Sequence, residues 1–169
     1  MPDQVTDADL AHLRRCVELA AQAVEAGDFP FGSVLVAADG TVLAEDRNHE
    51  VTEGDPTRHP ELALARWAAV NMTPSQRATA VVYTSGEHCP MCSAAHGWAG
   101  LGRIVYATSS EQLTRWLTEL GVGPSPVRPL GITEVVPGLA VAGPAPGLAE
   151  QVRDLHRRFH SGRGGSPAE

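Results

Sequence analysis

Residues 80–92 read Ala-Val-Val-Tyr-Thr-Ser-Gly-Glu-His-Cys-Pro-Met-Cys. Ala80 to Thr84 is a β-branched and aromatic run that predicts a strand, and the cysteine pair Cys89-x-x-Cys92 opens the next helix, which Gly100 and Gly102 close. A strand feeding a helix start is the repeating step of an α/β fold, and the sequence on either side keeps the same rhythm.

Upstream, Leu10, Leu13, Val17, Ala20, Ala21 and Val24 recur at helical spacing, with Thr6 and Asp9 as a capping pair and Gly27 as the stop. Residues 33–37 and 41–45 flank the turn Ala38-Asp39-Gly40 and predict a hairpin. Asp55-Pro56-Thr57 reads as the start of a helix that runs to about Met72. Downstream, Ile104 to Ala107 predicts a fourth strand and Ser110 to Leu120 an amphipathic helix. Thr133 to Val136 reads as the last short strand and Leu148 to Phe159 as the last helix, and the loop-rich residues 121–147, which include that strand, are the least regular part. The alternation from residue 30 to residue 120 implies helices covering a central sheet. A chain of 169 residues fits one domain with a proper core, assigned here to residues 1–160, with 161–169 as a frayed tail.

His59-Pro60-Glu61 precedes the cysteine pair and gives it a chemical meaning. A structural zinc ion is usually closed by four protein ligands. One imidazole and two thiolates leave a corner for water, whose pKa the ion lowers to about 7. Helix starts favour thiolate over thiol through their unpaired N–H groups and positive dipole end. Pro60 is compatible with such a start, because its missing N–H would have lacked a partner in the first turn. Glu61 is placed to move protons without binding the metal.

His-x-Glu followed by Cys-x-x-Cys resembles the signature of the cytidine deaminase superfamily. Phe29-Pro30-Phe31-Gly32-Ser33-Val34, Asn48, Asp55-Pro56-Thr57 and Gly102-Arg103-Ile104-Val105-Tyr106 extend the likeness to the branch holding guanine, cytosine and tRNA adenosine deaminases. It covers roughly residues 5–110 and departs from the family at Pro60, usually a small residue, and at His88, usually a proline. The resemblance implies an α/β/α sandwich around a mixed sheet of about five strands, and one zinc per chain held by His59, Cys89 and Cys92. Glu61 would be the catalytic proton shuttle for a zinc-bound hydroxide that hydrolytically deaminates a small amino-bearing base. It further implies that Asn48 bonds the polar edge of the base, that Phe29 or Phe31 borders its plane, and that His59, Ser85, Glu87 and His88 line the substrate. His88 is open to three readings: pocket wall, extra proton-carrying group or surface residue. Guanine is the leading substrate, with cytosine, a nucleoside or a triazine-type analogue behind it. Homodimerisation follows from the resemblance alone.

Charge and cysteine usage narrow the partners. Thirteen basic against twenty acidic side chains give a net charge of −7, and no basic surface for neutralising phosphates is evident outside Arg153 to Arg163. This favours a diffusible base over tRNA adenosine as substrate. Three cysteines, two of them in one Cys-x-x-Cys, fit a reducing compartment, and the start of the chain has no leader-like apolar run. No apolar stretch approaches the roughly 18 residues of a membrane span. A cytoplasmic enzyme is the expectation. A non-catalytic zinc module, with His88 as fourth ligand, is the rival from another class.

Overall fold

The computed structural model describes residues 4–162. In chain order the elements are α1 (Asp7–Ala26), β1 (Gly32–Val36), β2 (Val42–Arg47), α2 (Glu50–Glu53), α3 (Pro60–Asn71), α4 (Pro74–Thr79), β3 (Val81–Gly86), α5 (Pro90–Ala99), β4 (Ile104–Thr108), α6 (Ser110–Glu119), α7 (Ile132–Val135), β5 (Val141–Ala142) and α8 (Pro146–Ser161). The sheet order is β2-β1-β3-β4-β5. β1 runs antiparallel to both β2 and β3, whereas β3, β4 and β5 are mutually parallel. This is the expected mixed sheet of five strands.

Alternation along the strands builds the two outer layers. Val34, Val36, Tyr83, Val105 and Ala107 face a cluster made with α1, Trp116 of α6, and Leu148, Val152 and Leu155 of α8. Leu35 and Val82 point the other way, into a cluster with Leu64, Ala65, Ala68 and Met72. β1 is therefore buried on both faces, and its five residues are all inaccessible. Gly32 is required by close approach: a Cβ there would run into Leu19 Cβ and the Cys16 carbonyl, so α1 lies tight against the first residue of β1.

The hairpin forms as expected, with Gly40 at φ +89° in its turn. The helix stop at Gly27 adopts the left-handed conformation, and Thr6 and Asp9 close a reciprocal capping box. Three expectations are corrected. Asp55-Pro56-Thr57 does not begin a helix; Asp55 Oδ1 accepts from Thr57 N and Oγ1 at 2.9 and 2.7 Å, and the helix starts at Pro60. Thr133 to Val136 is not a strand. The Gly131 N–H donates to Glu134 Oε2 and the Ile132 N–H to Glu87 Oε1, each at 2.8 Å, and these caps turn the β-branched run into α7. The fifth strand is Val141–Ala142, paired with Ile104 and Val105. Of the tail read over 161–169, Ser161 is the last residue of α8 and residues 163–169 lie outside the described part.

Candidate metal centre and catalytic site

The starts of α3 and α5 meet at the end of β3. His59 is the N-cap of α3 and Cys89 the N-cap of α5, with Cys92 in the first turn of α5. His59 Nδ1 lies 3.5 Å from both Cys89 Sγ and Cys92 Sγ. Tetrahedral zinc with bonds of about 2.3 Å to sulfur and about 2.05 Å to nitrogen requires an S···N separation of roughly 3.6 Å. The donor set therefore fits zinc in both chemistry and spacing. Among the described residues no fourth His, Cys, Asp or Glu joins the group, and His59 and Cys89 are only half-buried, so one side of the triad stays open.

Glu61 stands beside the triad and is buried. Its Oε1 lies 3.2 Å from Ser33 Oγ and 3.0 Å from Thr84 Oγ1, which are themselves 2.9 Å apart. Its Oε2 is turned to the metal side, 3.7 Å from Cys92 Sγ. Burial raises the Glu61 carboxyl above the usual carboxylate range, more than the neighbouring His59 pulls it down. A hydrogen bond from Cys92 brings the Cys89 thiol down to about 4, and that same bond, together with burial, pushes Cys92 up. Burial disfavours charge on His59, but Cys89 and Glu50 raise its pKa to about 11. The low Cys89 value favours the thiolate form that a metal ion needs.

The remaining candidates separate into groups. Asn48 is fully buried at the end of β2; its Nδ2 donates to Glu50 Oε1 at 3.0 Å and its Oδ1 accepts from Glu50 N at 2.9 Å. One N–H and one lone pair of that amide remain. Ser85 Oγ accepts from Gly32 N at 3.1 Å and its carbonyl from Thr108 Oγ1 at 2.9 Å, which splices β1, β3 and β4. Glu87 spends both oxygens on backbone, accepting from Ser110 N and Ile132 N at 2.8 Å each. It ties α6 and α7 to the site, so its carboxylate is a fastening and not a free arm. Phe29 is buried against Phe159 of α8, with ring centroids 4.6 Å apart, whereas Phe31 is half-buried beside Gly86 and edge-on to His156 at 5.2 Å. His88 is not at the surface: it is 1 % exposed and packs edge-on against His96 with centroids 5.3 Å apart. Its ring is thus engaged away from the metal group.

The sequence reading missed Glu50 and Asp28. Glu50 Oε1 sits 2.7 Å from His59 Nε2. Asp28 binds the first turn of α2 through Val51 N and Thr52 N, both at 2.9 Å, and is bridged to β2 by Arg47. The only sequence signal was the closeness of Glu50 to Asn48 and of Asp28 to Phe29-Pro30-Phe31.

Residues 6–108 match the model of the cytidine and deoxycytidylate deaminase zinc-binding region, and the chain belongs to that family. It is thereby a hydrolase acting on C–N bonds, a zinc-dependent deaminase. A probable cytosine deaminase of Schizosaccharomyces pombe is 31% identical over 121 residues, 72% of this chain and 73% of that protein. The guanine deaminase of Bacillus subtilis is 42% identical over 96 residues, which are 56% of this chain and 61% of that protein. The structure of a guanine deaminase from Nitrosomonas europaea superposes with a TM-score of 0.65 over 94% of this chain and 87% of that one; at 22% identity this is a likeness of fold alone. Among the described residues no helix is long and apolar enough to cross a membrane.

Proposed function

We propose that this protein hydrolyses the exocyclic amino group of a free nucleobase, guanine foremost, with one zinc per chain held by His59, Cys89 and Cys92. The observation that carries the chemistry is the asymmetric hold on Glu61: Oε1 is bound by Ser33 and Thr84, and Oε2 faces the three ligands. Zinc bound there supplies Lewis acidity, lowering the pKa of a water toward about 7. Glu61 accepts the first proton of that water at Oε2 and passes it to the ring nitrogen next to the carbon under attack, then takes the second from the oxygen now bonded to that carbon and gives it to the departing amine. Water thus replaces ammonia at the carbon, with Glu61 returned to its starting state. Its raised pKa suits a group that must both take and give a proton at neutral pH. Asn48 offers its remaining N–H and lone pair to the edge of the base, and Phe31 borders the ring.

Guanine is favoured by the 42% identity to the Bacillus enzyme, and cytosine is the second reading because the Schizosaccharomyces relative matches over more of both chains. The net charge of −7 argues against a polyanionic substrate. Ammonia release from guanine, cytosine, adenine, their nucleosides and amino-triazines decides the matter. Turnover of guanine at least tenfold above the rest in kcat/KM supports the first reading, and the reverse order for cytosine replaces it. We also infer a homodimer, because Trp98 of α5 and Val70 of α3 stand 91% and 85% exposed. Sedimentation giving a monomer at working concentration removes that part. Reduced Cys89 and Cys92 fit a cytoplasmic setting.

A further inference from the structure

Three carboxylates near the site are buried or fastened, and they differ in how their oxygens are used. Asp28 has both oxygens paired, to Val51 N and Thr52 N on one side and to Arg47 and Thr52 Oγ1 on the other. Glu87 likewise spends both on backbone N–H groups. Such carboxylates hold the fold together. Glu50 is built differently. It is 4% exposed, its Oε1 faces His59 Nε2 at 2.7 Å, and its Oε2 is buried without a hydrogen-bond partner. A buried carboxylate left half-satisfied costs stability, so a packing role does not account for it.

The surroundings fix Glu50 in that costly position. Asn48 grips it twice, through its side chain and its backbone N–H. Asp28 then pins the next two residues, and Arg47 Nη1 joins Asp28 Oδ2 to the Asn48 carbonyl at 2.9 and 2.8 Å. On the other side, His59 presents Nδ1 to both sulfurs. An imidazole that gives its Nε2–H to a carboxylate is locked in the tautomer whose Nδ1 lone pair is free, and it becomes a better electron donor.

We propose that Glu50 is a positioning residue for the metal: it fixes His59 with Nδ1 aimed between the cysteines and so sets how tightly the centre keeps zinc. The inference rests on the zinc reading above and adds a determinant of that site from outside the His-x-Glu and Cys-x-x-Cys motifs.

The test compares the purified chain with Glu50→Gln and Glu50→Ala in zinc competition against a chromophoric chelator. In parallel come the absorption spectrum of the cobalt(II)-substituted protein and the melting temperature after chelator treatment. Both variants are expected to hold zinc about 10–100-fold more weakly and to shift the cobalt ligand-field bands. Zinc-stripped Glu50→Gln, whose side-chain oxygen can still accept from Asn48 and His59, should melt close to the zinc-stripped parent, whereas Glu50→Ala leaves both donors without that partner and should melt lower. Unchanged zinc affinity and cobalt spectrum in Glu50→Gln overturn the proposal. So does a fall in zinc affinity in Glu50→Gln matched by a fall in the melting temperature of its stripped form, which identifies a merely structural residue. An unsubstituted chain that takes up no zinc overturns the parent reading itself, an outcome distinct from both.

Discussion

Two kinds of helix start coexist in this molecule. α1, α4 and α6 open with capping boxes, Thr6 with Asp9, Thr73 with Gln76 and Ser109 with Gln112, each side chain satisfying the other residue's backbone N–H. α3 and α5 open with His59 and Cys89, and neither makes a side-chain cap. Yet the backbones are alike: φ, ψ is −70°, 159° at Thr73, −84°, 160° at Ser109 and −67°, 167° at Cys89. Cys89 and Cys92 even occupy the two positions that a capping box uses. The difference teaches that the proposed metal centre needs no unusual turn: its cysteines sit on the geometry of an ordinary helix start, without the cap's stabilisation.

The strongest way to break this comparison is Cys89→Ser, which converts a ligating start into a capping one on the same backbone. Stoichiometric zinc and turnover should both vanish, whereas the zinc-stripped protein should unfold with about 0.5–2 kcal/mol more stability. A chemical melt that shows destabilisation instead breaks the equivalence of the two starts. Next, Glu61→Gln should keep zinc, measured by metal analysis, and lower kcat by about 10²–10⁴-fold. Zinc loss in this variant contradicts the separation of shuttle from ligands.

α2 is an intermediate case, since its N-cap His49 makes no side-chain bond and remote Asp28 holds its first turn. Burial raises the Asp28 pKa, but bonds from Thr52, Arg47 and Val51 outweigh it and hold it below 3.8. A depressed carboxylate contributes stability that is complete above its unfolded pKa and is lost as pH falls through the folded one. Asp28→Asn should therefore cost about 1–3 kcal/mol at neutral pH. The gap to the parent should close below about pH 3.8 as urea midpoints are followed into acid. The smallest effect is expected at an ordinary cap: Thr73→Ala should cost about 1 kcal/mol and leave turnover untouched.

Legibility in the sequence follows the range of the deciding interactions. His59, Glu61, Cys89 and Cys92 were readable because their spacing alone sets them at two helix starts, and the hairpin because Asp39-Gly40 is a local turn. The last strand was misplaced because Glu87, distant in the chain, caps Ile132, while the true β5 has two residues defined only by pairing with β4. Asn48 was found but its partner was not, since the contacts of Glu50 with His59 bridge separate turns. His88 gave no hint of burial, because its cover includes the ring of His96, about two turns into α5.

The tethering of Glu61 Oε1 by Ser33 and Thr84 has a stereochemical corollary. A carboxylate held at Oε1 presents Oε2 to the three ligands, so in the proposed cycle the proton taken from the nucleophile and the one given to the heterocycle pass through that one oxygen. The side chain is also shut away from bulk solvent. Both transfers of the proposed cycle thus run through one oxygen sheltered from bulk water.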